Sequence, residues 1–169
     1  VSDQLSLDTG FSQAVVSDCG RYRYELIRRW DSGPTLEFIM LNPSTADATD
    51  DDPTIRRCIG FARRWGYGAL LVRNLYALRA TNPAVLLNYR GGGGDAFGPQ
   101  NADYLGNNMA DCTIAAWGAH AATLEWFAAG RRIKRPRLYC LGTNANGSPK
   151  HPLYVPSSRT PIRWEARHA

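Results

Sequence analysis

Large, β-prone side chains crowd Arg21-Tyr22-Arg23-Tyr24-Glu25-Leu26-Ile27-Arg28-Arg29-Trp30, and a second run, Thr35-Leu36-Glu37-Phe38-Ile39-Met40-Leu41, is nearly all apolar. Between them, Asp31-Ser32-Gly33-Pro34 has the composition of a turn, so the two runs are expected to form a hairpin-like pair. A strand as apolar as the second is one covered on both faces, and it stops abruptly at Asn42-Pro43-Ser44-Thr45. Downstream, Asp50-Asp51-Asp52-Pro53 sets acids and a proline where helix N-termini favour them. Ile55, Cys58, Ile59, Ala62 and Trp65 then recur at three- and four-residue steps, which predicts a helix over 53–65, closed by Gly66 and Gly68.

The next apolar run, Ala69-Leu70-Leu71-Val72, ends at Arg73-Asn74 and reads as another buried strand. Strand, helix and strand in succession make a βαβ unit, with a parallel pairing and a right-handed crossover. A short helical turn is expected over 83–88. The stretch Arg90-Gly91-Gly92-Gly93-Gly94-Asp95 reads as a flexible loop, because it matches neither glycine-rich phosphate-binding pattern. A helix over 99–110, a strand over 113–116 ending at Trp117-Gly118, a helix over 119–129 and a strand over 137–142 repeat the alternation, and a polar loop over 143–152 follows.

These elements predict an α/β fold: a single domain over 1–169, built as a three-layer α/β/α sandwich around a central, mainly parallel four-stranded sheet, with an extra N-terminal β-strand or hairpin. Such sheets bind ligands beyond the carboxyl ends of their strands. The expected lining is Asn42-Pro43-Ser44, Asn74-Leu75-Tyr76, Trp117-Gly118-Ala119-His120 and the loop that carries His151.

Composition narrows the partners. With 169 residues, 44% apolar and 21% charged, the chain has the make-up of one ordinary globular domain. No apolar run approaches the roughly 18 residues of a membrane span. The first residues lack a basic stretch followed by an apolar core, so a cytoplasmic address is expected. The net charge is +5, and Lys occurs only at positions 134 and 150, leaving Arg as 18 of the 20 cations. A guanidinium pairs two donors with one phosphate, so this bias suits a polyanion, although a merely basic surface explains it equally. Cys19, Cys58, Cys112 and Cys140 form no C-x-x-C pair and are expected to be reduced and mostly buried. There is no G-x-S-x-G elbow, and His120, His151 and His168 lack metal-ligand spacing. Neither a covalent nucleophile nor a metal is expected.

Four segments, in order and each at a predicted strand end, resemble the uracil-DNA glycosylase superfamily. Leu41-Asn42-Pro43-Ser44-Thr45 is similar to its first motif, written GQDPYH or GINPG. Ala69-Leu70-Leu71-Val72-Arg73-Asn74 is similar to its LLLN strand, Ala116-Trp117-Gly118-Ala119-His120-Ala121 to LWGAHAQ, and His151-Pro152-Leu153 to HPSP. The resemblance covers residues 36–156. The chain also resembles a bacterial and phage family with the phrases LNPSTAD, NLYALRAT and HPLY.

The superfamily resemblance implies a glycosylase-like fold and a monomeric, cofactor-free enzyme that flips a base out of DNA and cleaves its N-glycosidic bond, leaving an abasic site. It places Asn42 at the water-positioning position; an amide orients water but takes no proton. The competing reading of Asn42 is an Asx-turn before Pro43. Asn74 aligns with the amide that reads the pyrimidine edge, or else caps its loop. His151 aligns with the histidine that stabilises charge on the departing base, against a phosphate-contacting or merely exposed role.

One departure from the pattern is informative. The bulky aromatic that follows Pro in GQDPYH is here Ser44, so with Pro43 and Thr45 there is room for a pyrimidine substituted at C5, such as a hydroxymethylated or glucosylated cytosine. Excision of such bases suits antiphage defence, with repair of uracil or deaminated bases as the alternative. Asp47 or Asp52 is the candidate for the proton acceptor that Asn42 cannot be, although solvated or capping roles suit both. Tyr76 or Phe97 is the candidate to stack on the base. Leu153 and Tyr154 are placed to wedge into the stack, and Lys150, Arg56 and Arg57 to meet phosphates, where core packing and solvated faces are the bland readings. Two further classes stay open: a non-catalytic nucleic-acid-binding module and a nucleoside hydrolase or deoxyribosyl transferase.

Overall fold

The computed structural model describes residues 10–44, 46–89 and 95–165. Thr45, His168 and the glycines at 91–94 lie outside the described residues. Seven strands form one sheet: β1 (Phe11–Val16), β2 (Arg23–Arg29), β3 (Thr35–Met40), β4 (Ala69–Asn74), β5 (Cys112–Ala115), β6 (Tyr139–Cys140) and β7 (Ile162–Arg163), in the spatial order β1-β2-β4-β3-β5-β6-β7. The α-helices among the described residues are α1 (Pro53–Arg64), α2 (Val85–Asn88), α3 (Asn101–Gly106) and α4 (Ala121–Ala128).

This architecture is α/β but corrects the expected one. The sheet is mixed and seven-stranded rather than four-stranded and mainly parallel, and four short helices replace the two helical layers of a glycosylase-like sandwich. Pairings β3–β4, β3–β5 and β5–β6 are parallel, whereas β1–β2, β2–β4 and β6–β7 are antiparallel. Antiparallel β2 and β7 pair with β4 and β6, covering edges of the parallel strands that would otherwise present unpaired backbone groups, and β1 pairs in turn with β2.

The expected hairpin between 21–30 and 35–41 does not form either, because β2 and β3 flank β4 on opposite sides. The short connection between them passes over the start of β4. Trp30 and Asp31 donate their N–H groups to Gly68 O, and Gly68 N–H returns to Pro34 O. A Cβ on Gly68 would lie 2.5 Å from the backbone nitrogen of Gly33, so the crossing needs glycine. Turn composition was visible locally; the crossing is a long-range contact that it does not encode.

Helix α1 follows its sequence signals. Asp52 caps it by accepting from Ile55 N–H at 2.9 Å, Pro53 opens it, and Ile55, Cys58, Phe61 and Ala62 are buried against the sheet. They share one core with Phe38, Met40, Leu70, Val72 and Ile114. A second core joins Ile39, Leu75, Tyr76, Ala115, Trp117 and Trp126. The helix expected over 99–110 is the shorter α3, and the strand expected over 137–142 is reduced to β6.

Charges stand inside these apolar runs. Glu37 in β3 and Arg73 in β4 are both fully buried. Arg135 grips Glu37 bidentately, with Nε and Nη2 each 2.8 Å from a carboxylate oxygen. Arg73 adds a third contact at 3.1 Å, and Thr113 Oγ1 donates at 2.7 Å from β5. On its other side, Arg73 Nε donates to Glu25 in β2 at 2.7 Å. Two cations and two anions thus satisfy one another across four adjacent strands. Replacing Glu37 with Gln removes the anion shared by Arg73 and Arg135, and is expected to destabilise the fold by about 3–5 kcal/mol in urea denaturation; a loss under about 1 kcal/mol would show the cluster to be dispensable.

Candidate functional site

The largest concentration of functional groups lies beyond the carboxyl ends of β3, β4 and β5, around a cavity of about 490 Å³. Sites for small molecules run from about 300 to 1,000 Å³. Several separate pieces of chain deliver the polar groups of this cavity.

Asn42 follows β3. Its amide nitrogen donates to Pro43 O at 3.0 Å and Ala80 O at 2.8 Å, which ties the β3 loop to the chain beyond β4. Because both partners are carbonyls, the amide orientation is chemically fixed, and Oδ1 is left as an acceptor. Asn42 therefore anchors its loop and lines the cavity at once. Asn74 closes β4 and is almost completely buried, yet its Nδ2 has no hydrogen-bond partner. The chain around it is pinned by Asn101, which donates to the carbonyls of Asn74 and Leu75 at 3.1 and 3.0 Å.

His151 arrives from the far side. The loop after β6 folds back through a Thr143–Pro149 bridge, and Gly118 N–H donates to Pro149 O at 3.0 Å, so His151 lies against the end of β5. Its Nδ1 accepts from Leu153 N–H at 3.3 Å, capping a 3-10 turn over Pro152–Tyr154. Burial lowers its pKa below the ordinary histidine value, against the opposing pull of the Asp52 charge. A neutral ring that accepts at Nδ1 carries its proton on Nε2 and so offers a donor. His120, which caps α4 by accepting from Ala122 N–H at 3.1 Å, offers the same donor from the same cavity wall.

Asp52 lines the cavity while capping α1 through Oδ1. Asp47 does not reach the cavity. Its carboxylate accepts from the backbone N–H groups of Thr49 and Asp50 at 2.8 and 2.9 Å, and these bonds hold its pKa below the usual carboxylate value. Of the two acids singled out in the sequence, only Asp52 is available to a ligand here.

Ser44 also lines the cavity, and Tyr154 stands at it with 81% of its surface exposed. Leu153 is exposed beside Tyr154. Pro43 is buried and contributes only its carbonyl, which accepts from Ala80 N–H. Tyr76 is a core residue whose hydroxyl donates to Ala122 O at 2.8 Å, and Phe97 lies under Arg131 at 4.3 Å. Neither is available to stack on a ligand in the cavity. Arg57 braces the His151 loop from below through Pro152 O and Val155 O. Arg56 and Arg64 flank it in a separate groove of about 230 Å³, and the Lys150 side chain packs over Gly142.

Sequence reasoning missed Arg23, Thr54 and Thr81 in the cavity wall and did not single out His120, although it expected that segment there. His120 carries a legible signal, an N-cap position directly before a helix. Arg23 carries none, because it is delivered by β2, whose pairing with β4 was not foreseen.

A family model described as a protein of unknown function (DUF1643) matches residues 23–153. Neither the curated proteins nor the solved structures contain a match. The matched span begins at Arg23 and ends two residues after His151, so it encloses every cavity residue except Tyr154.

The low pKa of His151 has a consequence for stability. The unfolded chain binds the proton more readily than the folded one, so this stabilisation is complete above the ordinary value of 6.5 and is lost as pH falls through the folded-state pKa. His151→Asn retains a capping acceptor without the titration. Between pH 7.5 and 5 the native protein is expected to lose melting temperature more steeply than this variant; parallel curves would mean that His151 titrates as a free imidazole.

Proposed function

We propose a hydrolytic function for this chain, which belongs to the DUF1643 family: it is a DNA glycosylase that takes an extruded pyrimidine into the cavity and cleaves its bond to deoxyribose. What carries this reading is one arrangement, in which Asn42, Asp52, Asn74 and His151, from four separate parts of the chain, line the same cavity. It contains an acceptor for water, a carboxylate, an unused amide donor and a neutral imidazole donor, the set that such a hydrolysis needs.

The division of labour follows from those atoms. Asn42 Oδ1 orients a water whose oxygen bonds to C1′ of the sugar. Asp52 takes the proton that this water gives up, which Asn42 cannot do. The C1′–N1 bond breaks, and its electron pair leaves with the base. His151 Nε2–H and the spare Asn74 N–H stabilise the resulting anion, which then takes a proton from solvent. Tyr154 and Leu153, exposed beside the cavity, fill the gap that the extruded base leaves in the stack.

The substrate within this reading is a pyrimidine with a polar C5 substituent, a hydroxymethylated or glucosylated cytosine in DNA. Small Ser44 stands in the wall where a bulky side chain would restrict the base. Excision of such bases serves defence against phage DNA, and the reading includes a cytoplasmic, monomeric enzyme without a cofactor. Among the described residues no helix is long and apolar enough to cross a membrane.

Duplexes containing uracil, 5-hydroxymethylcytosine or its glucosylated form are incubated with the protein and treated with alkali, which cuts at abasic sites. Cleavage is expected at the modified cytosines, and Asp52→Asn is expected to slow single-turnover release by about 10²-fold or more. Cleavage at uracil alone would point to repair, release from nucleosides alone to a nucleoside hydrolase, and binding without release to a non-catalytic module.

A further inference from the structure

Four arginine side chains are buried among the described residues, and three of them are matched with carboxylates: Arg28 with Asp51 at 2.8 Å, Arg73 with Glu37 at 3.1 Å and Arg135 with Glu37 at 2.8 Å. The fourth is Arg23. It is 2% exposed, donates one Nη1 bond to Ala46 O, has no hydrogen-bond partner for Nε, and forms no salt bridge among the described residues. It is also the only one of the four in the cavity wall. The charges around it are Asp52 and Asp47 of opposite sign and Arg28 and Arg79 of like sign. Arg28 is itself a cation paired with Asp51, Asp47 is engaged by its own turn, and Asp52, whose Oδ1 caps α1, forms no ion pair with Arg23.

A buried cation without a bonded anion is costly, and the fold avoids that cost at the other three positions. We infer that Arg23 is an anion-binding residue of the cavity, and that its partner is a phosphate group of the nucleotide whose base occupies the site. This rests on the proposed nucleotide substrate for the identity of the anion. The departing base is a weaker candidate, since its charge exists only during reaction, whereas the Arg23 charge is present in the resting protein and requires a partner in the bound ground state. The planar guanidinium also suits the geometry of phosphate oxygens.

The full-length chain is titrated calorimetrically, and its melting temperature followed, with deoxycytidine, deoxycytidine 5′-monophosphate and a single-stranded trinucleotide with a central 5-hydroxymethylcytosine. The monophosphate or the trinucleotide is expected to bind at least tenfold more tightly than the nucleoside; an advantage confined to the trinucleotide assigns the phosphate to the strand. Arg23→Met, an apolar side chain suited to a buried position, is expected to remove that advantage while leaving nucleoside binding intact, and Arg23→Lys to restore part of it. Equal binding of all three probes, no binding of either phosphate-bearing probe, or an undiminished advantage in Arg23→Met would overturn the inference. Base release without a phosphate advantage removes the role of Arg23 and leaves the glycosylase reading standing, whereas a phosphate advantage without base release does the reverse.

Discussion

Everything at the cavity depends on strand ends held in register, and the contact that holds them is the buried carboxylate of Glu37. Two arginines and a threonine converge on it from β4, β5 and the segment before β6, and Arg73 extends the bridge to Glu25 in β2. Apolar packing alone tolerates small slides between strands, whereas a bidentate pair with two further bonds on the same carboxylate does not. The cost of burying these charges is offset only when every lone pair and N–H is used, and Glu37 meets that condition with four bonds. The cluster lies within the strands, while Asn42, Asn74 and Trp117 lie at or just beyond their carboxyl ends. Its rigidity is therefore inherited by the site.

The contrast with Arg23 has meaning only against this background. A fold that pairs Arg28, Arg73 and Arg135 so completely has a chemistry for burying arginine, and Arg23 departs from it where protein gives way to cavity. Asn74 departs in the same place, with a buried donor left unused. Buried polar groups without partners are expensive wherever they occur, and two on one cavity wall argue for a ligand that completes them.

Much of the site was legible because its signals are local. Apolar runs that stop at Asn42, Asn74 and Trp117 mark strand ends by composition alone, and Asp52-Pro53 marks the start of α1. What stayed hidden was decided by contacts distant in sequence. The partner of β2 is set by the Gly33–Gly68 crossing, so the turn at 31–34 was mistaken for a hairpin and Arg23 for an ordinary strand residue. The extent of the sheet depends on β1 and on the two-residue β7, whose pairings have no strong periodic pattern. Tyr76 was misassigned because sequence places it just past a strand end, yet its ring is buried in the core that also holds Ala122, whose carbonyl takes its hydroxyl. Asp47 and Asp52 belong to one acid-rich stretch, and composition does not say which of them reaches a ligand. Only the hydrogen bonds from Thr49 and Asp50 separate a turn-forming carboxylate from one that faces the cavity.

The same economy recurs at three places in the cavity wall. Asp52, His120 and His151 each spend one acceptor atom on the start of a helical segment and leave the rest of the side chain for other work. For the two histidines this selects the tautomer, because a ring nitrogen that accepts a backbone N–H in the neutral form assigns its proton to the other nitrogen. For Asn42 the two carbonyls that accept from Nδ2 make a parallel choice and leave an oxygen. The wall is thus sorted into donors and acceptors before any ligand arrives, by bonds that also build the backbone. A substitution that preserves size but changes this sorting will cost function and local structure together, except at Arg23 and Asn74, whose buried donors are not all engaged by the protein.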